Sequence, residues 1–133
     1  VEIERLNRRL WNKIMDHREE LARVQVDAQP DASTLLVAFG TAAGAMREGA
    51  ARARRQGKRV STAVVQSLWP VPERALRQAA AGTTRIVVGE LNPGLYVREM
   101  RGLFPDREVV SLNRIDGRLL TPDVYAAHCL PVG

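Results

Sequence analysis

The sequence predicts an α/β domain, a three-layer sandwich around a mainly parallel sheet, preceded by an N-terminal amphipathic helix. Three observations predict it. Apolar runs at residues 34–40, 58–68, 84–91 and 107–113 alternate with helix-patterned segments. The runs are nearly continuous in Val, Leu, Ile and Ala instead of alternating with polar residues, as strands covered on both faces must be. A length of 133 residues with 45% hydrophobic content suits a single domain with its own core.

The elements follow in order. In residues 2–24, Ile3, Leu6, Leu10, Ile14, His17, Leu21 and Val24 recur at spacings of three or four and form one apolar stripe, with Trp11 beside it. An isolated helix is marginal in water, so this stripe is expected to pack on the α/β body or on a second copy. Residues 25–33, "QVDAQPDAS", read as a polar turn, so residues 1–33 form a helix and linker and residues 34–133 the α/β domain. The first strand ends in Gly40. The helix over 41–57 has Thr41 as N-cap, Ala43, Met46, Ala50 and Ala53 on one face, and Gly57 past its end. The second strand leads to a helix over 72–82, with Pro72 in its first turn and Gly82 at its end. After the third strand, Asn92 and Pro93 start a helix over 92–104. The fourth strand precedes a short helix over 121–130, capped by Thr121 and followed at once by Pro122. Crossovers between the parallel strands are expected to be right-handed.

Composition narrows the function classes. No apolar run approaches the roughly 20 residues of a membrane span, and the charged opening "VEIERLNRRLWNK" is no signal peptide. One cysteine, Cys129, allows no internal disulfide and no Cys-rich metal site. His17 and His128 stand in no metal-ligand spacing. These features suit a cytoplasmic protein. The net charge of +5 raises nucleic acid as a partner. All but two of the 20 basic residues are Arg, however, and they are scattered. The densest cluster, "ARARRQGKR", reads as a helix end whose cations face the last carbonyls. No RNP-like aromatic motif accompanies it, so no specific nucleic-acid partner and no membrane partner is expected.

Ligands and partners of an open parallel sheet meet the loops at the carboxyl ends of its strands. Here those loops are "FGTAAG", "SLWPVPE", "GELNPG" and "LNRIDG". Gly40 and Thr41 open a helix whose free N–H groups suit an anion. The loop is neither GxGxxG nor GxxxxGK[ST], so tight strand–helix packing by small residues is the simpler reading. Glu90, with Asn92 and Gly94 behind it, is a strand-tip carboxylate. It is placed either for acid–base work or for bonding the N–H groups of the next helix. No His or second carboxylate in the motif completes a dyad. Asp116-Gly117 reads as a turn. Pro70 restricts Trp69 to an extended backbone and Pro72 sets the next helix, so the indole is held at the rim. Either it caps its own core or it presents a rigid aromatic to a partner. The candidate interface is therefore Gly40, Thr41, Trp69, Pro70, Pro72, Glu90, Asn92 and Gly94; no catalytic, cofactor-binding or metal-ligating residue is assigned.

Four of these motifs together resemble the C-terminal domain of the α subunit of 2-oxoacid:ferredoxin oxidoreductases, which is like the transketolase C-terminal domain. A "VAYGS"-like strand end is matched by Val37 to Thr41. A "LWPFP"-like loop is matched by Leu68 to Pro72, with Val71 in place of the aromatic. A "VEMNxG"-like loop is matched by Gly89 to Gly94, and a "NKVDGRPxTPEE"-like tail by Asn113 to Asp123. The resemblance implies a whole enzyme that oxidatively decarboxylates a 2-oxoacid with coenzyme A as co-substrate, releases CO2 and reduces ferredoxin. The wording of the loops is nearest the 2-oxoglutarate branch. The resemblance also implies thiamine diphosphate, Mg²⁺ and iron–sulfur clusters in that enzyme. It implies a preceding N-terminal α domain and a β subunit as partners, with a homodimer as a further option. No residue here matches the thiamine-activating Glu and no CxxC motif is present, so no cofactor is assigned to this chain and the domain is expected to serve assembly. The alternative is a free-standing anion- or nucleotide-binding α/β module.

Overall fold

A computed structural model of the chain describes residues 2–16, 24–38, 42–66, 71–90, 95–113 and 120–131. The elements are α1 (Glu2–Asp16), β1 (Val24–Asp27), β2 (Thr34–Ala38), α2 (Ala42–Arg55), β3 (Val60–Val65), α3 (Glu73–Ala79), β4 (Arg85–Glu90), α4 (Leu95–Leu103), β5 (Glu108–Asn113) and α5 (Pro122–His128). The strands form one sheet in the order β1-β3-β2-β4-β5. β3, β2, β4 and β5 are parallel, and β1 alone runs antiparallel. β2 lies in the middle, with Thr34 opposite Val60 on one side and Arg85 on the other. All its residues are buried, which accounts for its unbroken apolar run.

The two faces of the sheet carry separate apolar layers, completing the three-layer sandwich. On one face Leu35, Val37, Ile86 and Val88 meet Leu76 and Ala79 of α3 and Val97 and Met100 of α4. On the other, Leu36, Ala38, Val64 and Val87 meet Met46, Ala50 and Ala53 of α2 and Tyr125 and Ala126 of α5. Alternate strand residues feed alternate layers, as the period of two requires.

Residues 24–27 correct the sequence reading, which gave Val24 to the first helix and Gln25 onward to a turn. They form an antiparallel edge strand with Val24 opposite Val65 and Asp27 opposite Thr62. Val24 packs on the α3/α4 layer. Arg54 of α2 donates to Asp27 (2.9 Å) and Arg47 to Gln25 (2.7 Å), so α2 holds the edge in register. The turn that follows docks through Gln29: its N–H donates to Ser61 Oγ at 3.0 Å and its Oε1 accepts from Val60 N at 2.7 Å.

Helix ends fall near their punctuation. Past α2, Gly57 takes φ +86°, its N–H donates to Arg54 O, and Lys58 N donates to Ala53 O. This is a Schellman motif, in which only glycine meets no Cβ penalty. Thr121 Oγ1 accepts from Val124 N at the start of α5. Cations hold the end of α5: Lys58 Nζ donates to Ala126 O at 2.8 Å and Arg85 Nη1 to His128 O at 3.0 Å. Leu130 N donates to Thr34 Oγ1 at 2.9 Å, pinning the chain after the helix to the central strand.

The basic cluster is used inside the fold. Arg52 pairs with Asp123 and Glu48, Arg54 donates to Val60 O as well as Asp27, and Arg55 pairs with Glu48. The bond to Asp123 raises the Arg52 pKa further. α1 departs from expectation in the other direction. Every residue from Ile3 to Lys13 is exposed, with Ile3 at 74%, Leu6 at 53% and Leu10 at 50%. Its stripe is not covered by the α/β body of its own chain. His17 and Leu21, also assigned to that stripe, lie outside the described residues.

Candidate functional site

Chain direction defines the site. The helix that follows β2, α2, packs with α5 on one face of the sheet. The helix that follows β4, α4, packs with α3 on the opposite face. β2 and β4 are neighbours. The helices that follow the carboxyl ends Ala38 and Glu90 therefore lie on opposite sides of the sheet. That divergence is the topological switch point at which open α/β sheets form their crevice.

Glu90 is the described side chain that carries the site's charge. It is only 1% exposed. Its Oε1 accepts from Tyr96 N at 3.2 Å and its Oε2 from Val97 N at 3.0 Å, both in the first turn of α4. Of the two roles the sequence left open, the geometry matches the second: the carboxylate binds two N–H groups in the first turn of α4. A negative charge is also favoured at a helix N-terminus. The same amides cannot then cradle a phosphate, and a fixed carboxylate stands where an anion would sit.

Pro72 likewise points inward. It is buried, has φ −79° and ψ 68°, and stands immediately before α3 without a side-chain cap. Its carbonyl accepts the first helical bond from Leu76 N at 3.0 Å. Val71, the residue in place of an aromatic, is half-buried against the α3/α4 layer. Gly40, Thr41, Trp69, Pro70, Asn92 and Gly94 lie outside the described residues, as do the N-caps assigned to Thr41 and Asn92 and the Asp116-Gly117 turn.

Sequence reasoning missed Tyr125. It is fully buried and its hydroxyl has no hydrogen-bond partner among the described residues. The ring lies on Gly89, one residue before Glu90, where a Cβ would come 2.0 Å from the hydroxyl oxygen. Its own Cβ sits where a Cβ on Gly49 would come within 2.5 Å. Tyr125 is thus wedged between α2 and the end of β4, and burial pushes its phenol up to about 12. A glycine inside a helix and another inside a strand are the only sequence signals of this contact. Cys129 is also buried, donates to Tyr125 O at 3.3 Å, and has its thiol pushed up to about 11 by burial, so it is no nucleophile at neutral pH.

The family described as pyruvate:ferredoxin oxidoreductase core domain II matches residues 32–124. The chain belongs to that family. It is similar to the 2-oxoglutarate synthase subunit KorA of Methanothermobacter marburgensis, 30% identical over 121 residues covering 90% of this chain and 32% of that protein. It is also similar to the ketoisovalerate oxidoreductase subunit VorB of Methanothermobacter thermautotrophicus, 28% identical over 90% of this chain and 34% of that one. The chain therefore spans about a third of the length of these relatives. Among solved structures, 2-oxoglutarate:ferredoxin oxidoreductase from Magnetococcus marinus, with 2-oxoglutarate, coenzyme A and succinyl-CoA bound, superposes with a TM-score of 0.75 at 19% identity. That match covers 93% of this chain and 22% of the larger one. A split-gene transketolase, an inactive β4 tetramer, superposes with a TM-score of 0.68 at 22% identity over 79% of this chain and 39% of its own. The core-domain-II family is thus established for this chain, and its fold is similar to that of the transketolase.

The described residues of this core domain II do not fit the metal ion or iron–sulfur cluster that the sequence resemblance implies for a whole enzyme. A lone, buried, protonated Cys129 cannot hold an iron–sulfur cluster. Both oxygens of Glu90 are taken by α4. Among the described residues no group of three His, Cys, Asp or Glu side chains could hold a metal ion.

Proposed function

We propose that this chain is the core domain II of the α subunit of a 2-oxoacid:ferredoxin oxidoreductase and that it serves assembly without turnover of its own. The observation that carries the reading is the family match over residues 32–124 together with the similarity to KorA. The inward-turned Glu90, whose two oxygens accept from the first turn of α4, agrees with it. The whole enzyme would convert 2-oxoglutarate and coenzyme A to succinyl-CoA and CO2, passing the electron pair to ferredoxin. Thiamine diphosphate, Mg²⁺ and iron–sulfur clusters would be held by the N-terminal α domain and companion subunits. These, with a second copy of the complex as an option, are the partners. Gly40, Thr41, Trp69, Pro70, Asn92 and Gly94 are the rim residues offered to them, in a cytoplasmic setting.

The test is reconstitution. The chain alone, given 2-oxoglutarate, coenzyme A, thiamine diphosphate, Mg²⁺ and a viologen acceptor, should reduce no acceptor. The α and β subunits together should do so, faster with 2-oxoglutarate than with pyruvate or 2-oxoisovalerate. Turnover by the isolated chain overturns the assembly role, and preference for another 2-oxoacid overturns the substrate. Trp69→Ala should weaken assembly by about 2 kcal/mol or more, as for an interface hot spot, while the isolated domain melts nearly as before. A domain that instead loses the roughly 3–5 kcal/mol of a deleted core aromatic places Trp69 inside.

A further inference from the structure

We draw no further inference here: the strongest candidate, the exposed apolar stripe of Ile3, Leu6 and Leu10 along α1, carries nothing because nothing in the structure shows what covers it.

Discussion

Replacing Gly89 by alanine should be among the most damaging small changes in this domain. Propensity alone says the opposite, because a glycine inside a strand costs roughly 0.5–1 kcal/mol relative to alanine. The structure overrules it. The new Cβ would lie 2.0 Å from the Tyr125 hydroxyl and 2.8 Å from both Cε1 and Cζ, where non-bonded carbons settle at about 3.5–4.0 Å. The ring has no free side to move to. It is fully buried, and its Cβ already abuts α2 at Gly49. Relief requires α5 to lift, and α5 is held by Lys58, Arg85 and the Leu130–Thr34 bond. Overpacking typically costs about 1–3 kcal/mol, and the upper end is expected here because those bonds strain together. For a domain of this size about 3 kcal/mol is a large part of a total of roughly 5–15 kcal/mol, and it lowers Tm by on the order of 10 °C. Tyr125→Phe supplies the internal control. It removes a buried hydroxyl that has no partner among the described residues, so by itself it should be neutral within about 0.5 kcal/mol or slightly stabilising. In the double variant the closest contact relaxes from 2.0 to 2.8 Å, so about 1–2 kcal/mol should be recovered as coupling. Urea unfolding of the four proteins measures each quantity. A Gly89→Ala variant within about 0.5 kcal/mol of the parent, or a coupling of zero with Tyr125→Phe, would refute the wedge.

Three further outcomes follow from the same contacts. Gly49→Ala should destabilise, although helix propensity promises a gain of about 1 kcal/mol, because its Cβ would meet Tyr125 Cβ at 2.5 Å and Pro122 O at 2.7 Å; a rise in the urea midpoint would contradict the close helix contact. Cys129, with a thiol raised from 9.0 to about 11 by burial, contributes stability that is complete below pH 9 and is lost as pH rises toward 11, since the unfolded thiol ionises first; the loss is on the order of 2–3 kcal/mol, and Cys129→Ala should flatten that window in a pH series of unfolding curves. Lys58→Met should cost about 1 kcal/mol by removing the donor to Ala126 O, and an unchanged midpoint would show that solvent serves that carbonyl equally well.

The sheet was legible because its signals are local. Buried strands flanked by capped helices repeat their pattern within a dozen residues, so β2, β3, β4, β5 and the four helices that cover them fall where periodicity, Pro72, Gly57 and Thr121 put them. β1 was not legible. "VQVD" is too short to show alternation, and it is a strand only because β3 offers a free edge and Arg47 and Arg54 meet Gln25 and Asp27 from another element. Strand order was hidden for the same reason: it records which edges meet, a property of pairs of distant segments.

Glu90 shows where the boundary runs within the site itself. Its position at a strand tip was readable, and so were its two chemical options. The choice between them is made by burial, which depends on Tyr96, Val97 and the α3/α4 layer together. α1 shows the same limit from the other side. Spacing makes its amphipathic stripe plain, yet the surface that covers a stripe is made of other residues. Packing on the α/β body required apolar positions on that body to be left open, and both faces of the sheet are already filled by α2 to α5. The exposure of Leu6 and Leu10 is therefore the consequence of a sandwich completed without α1.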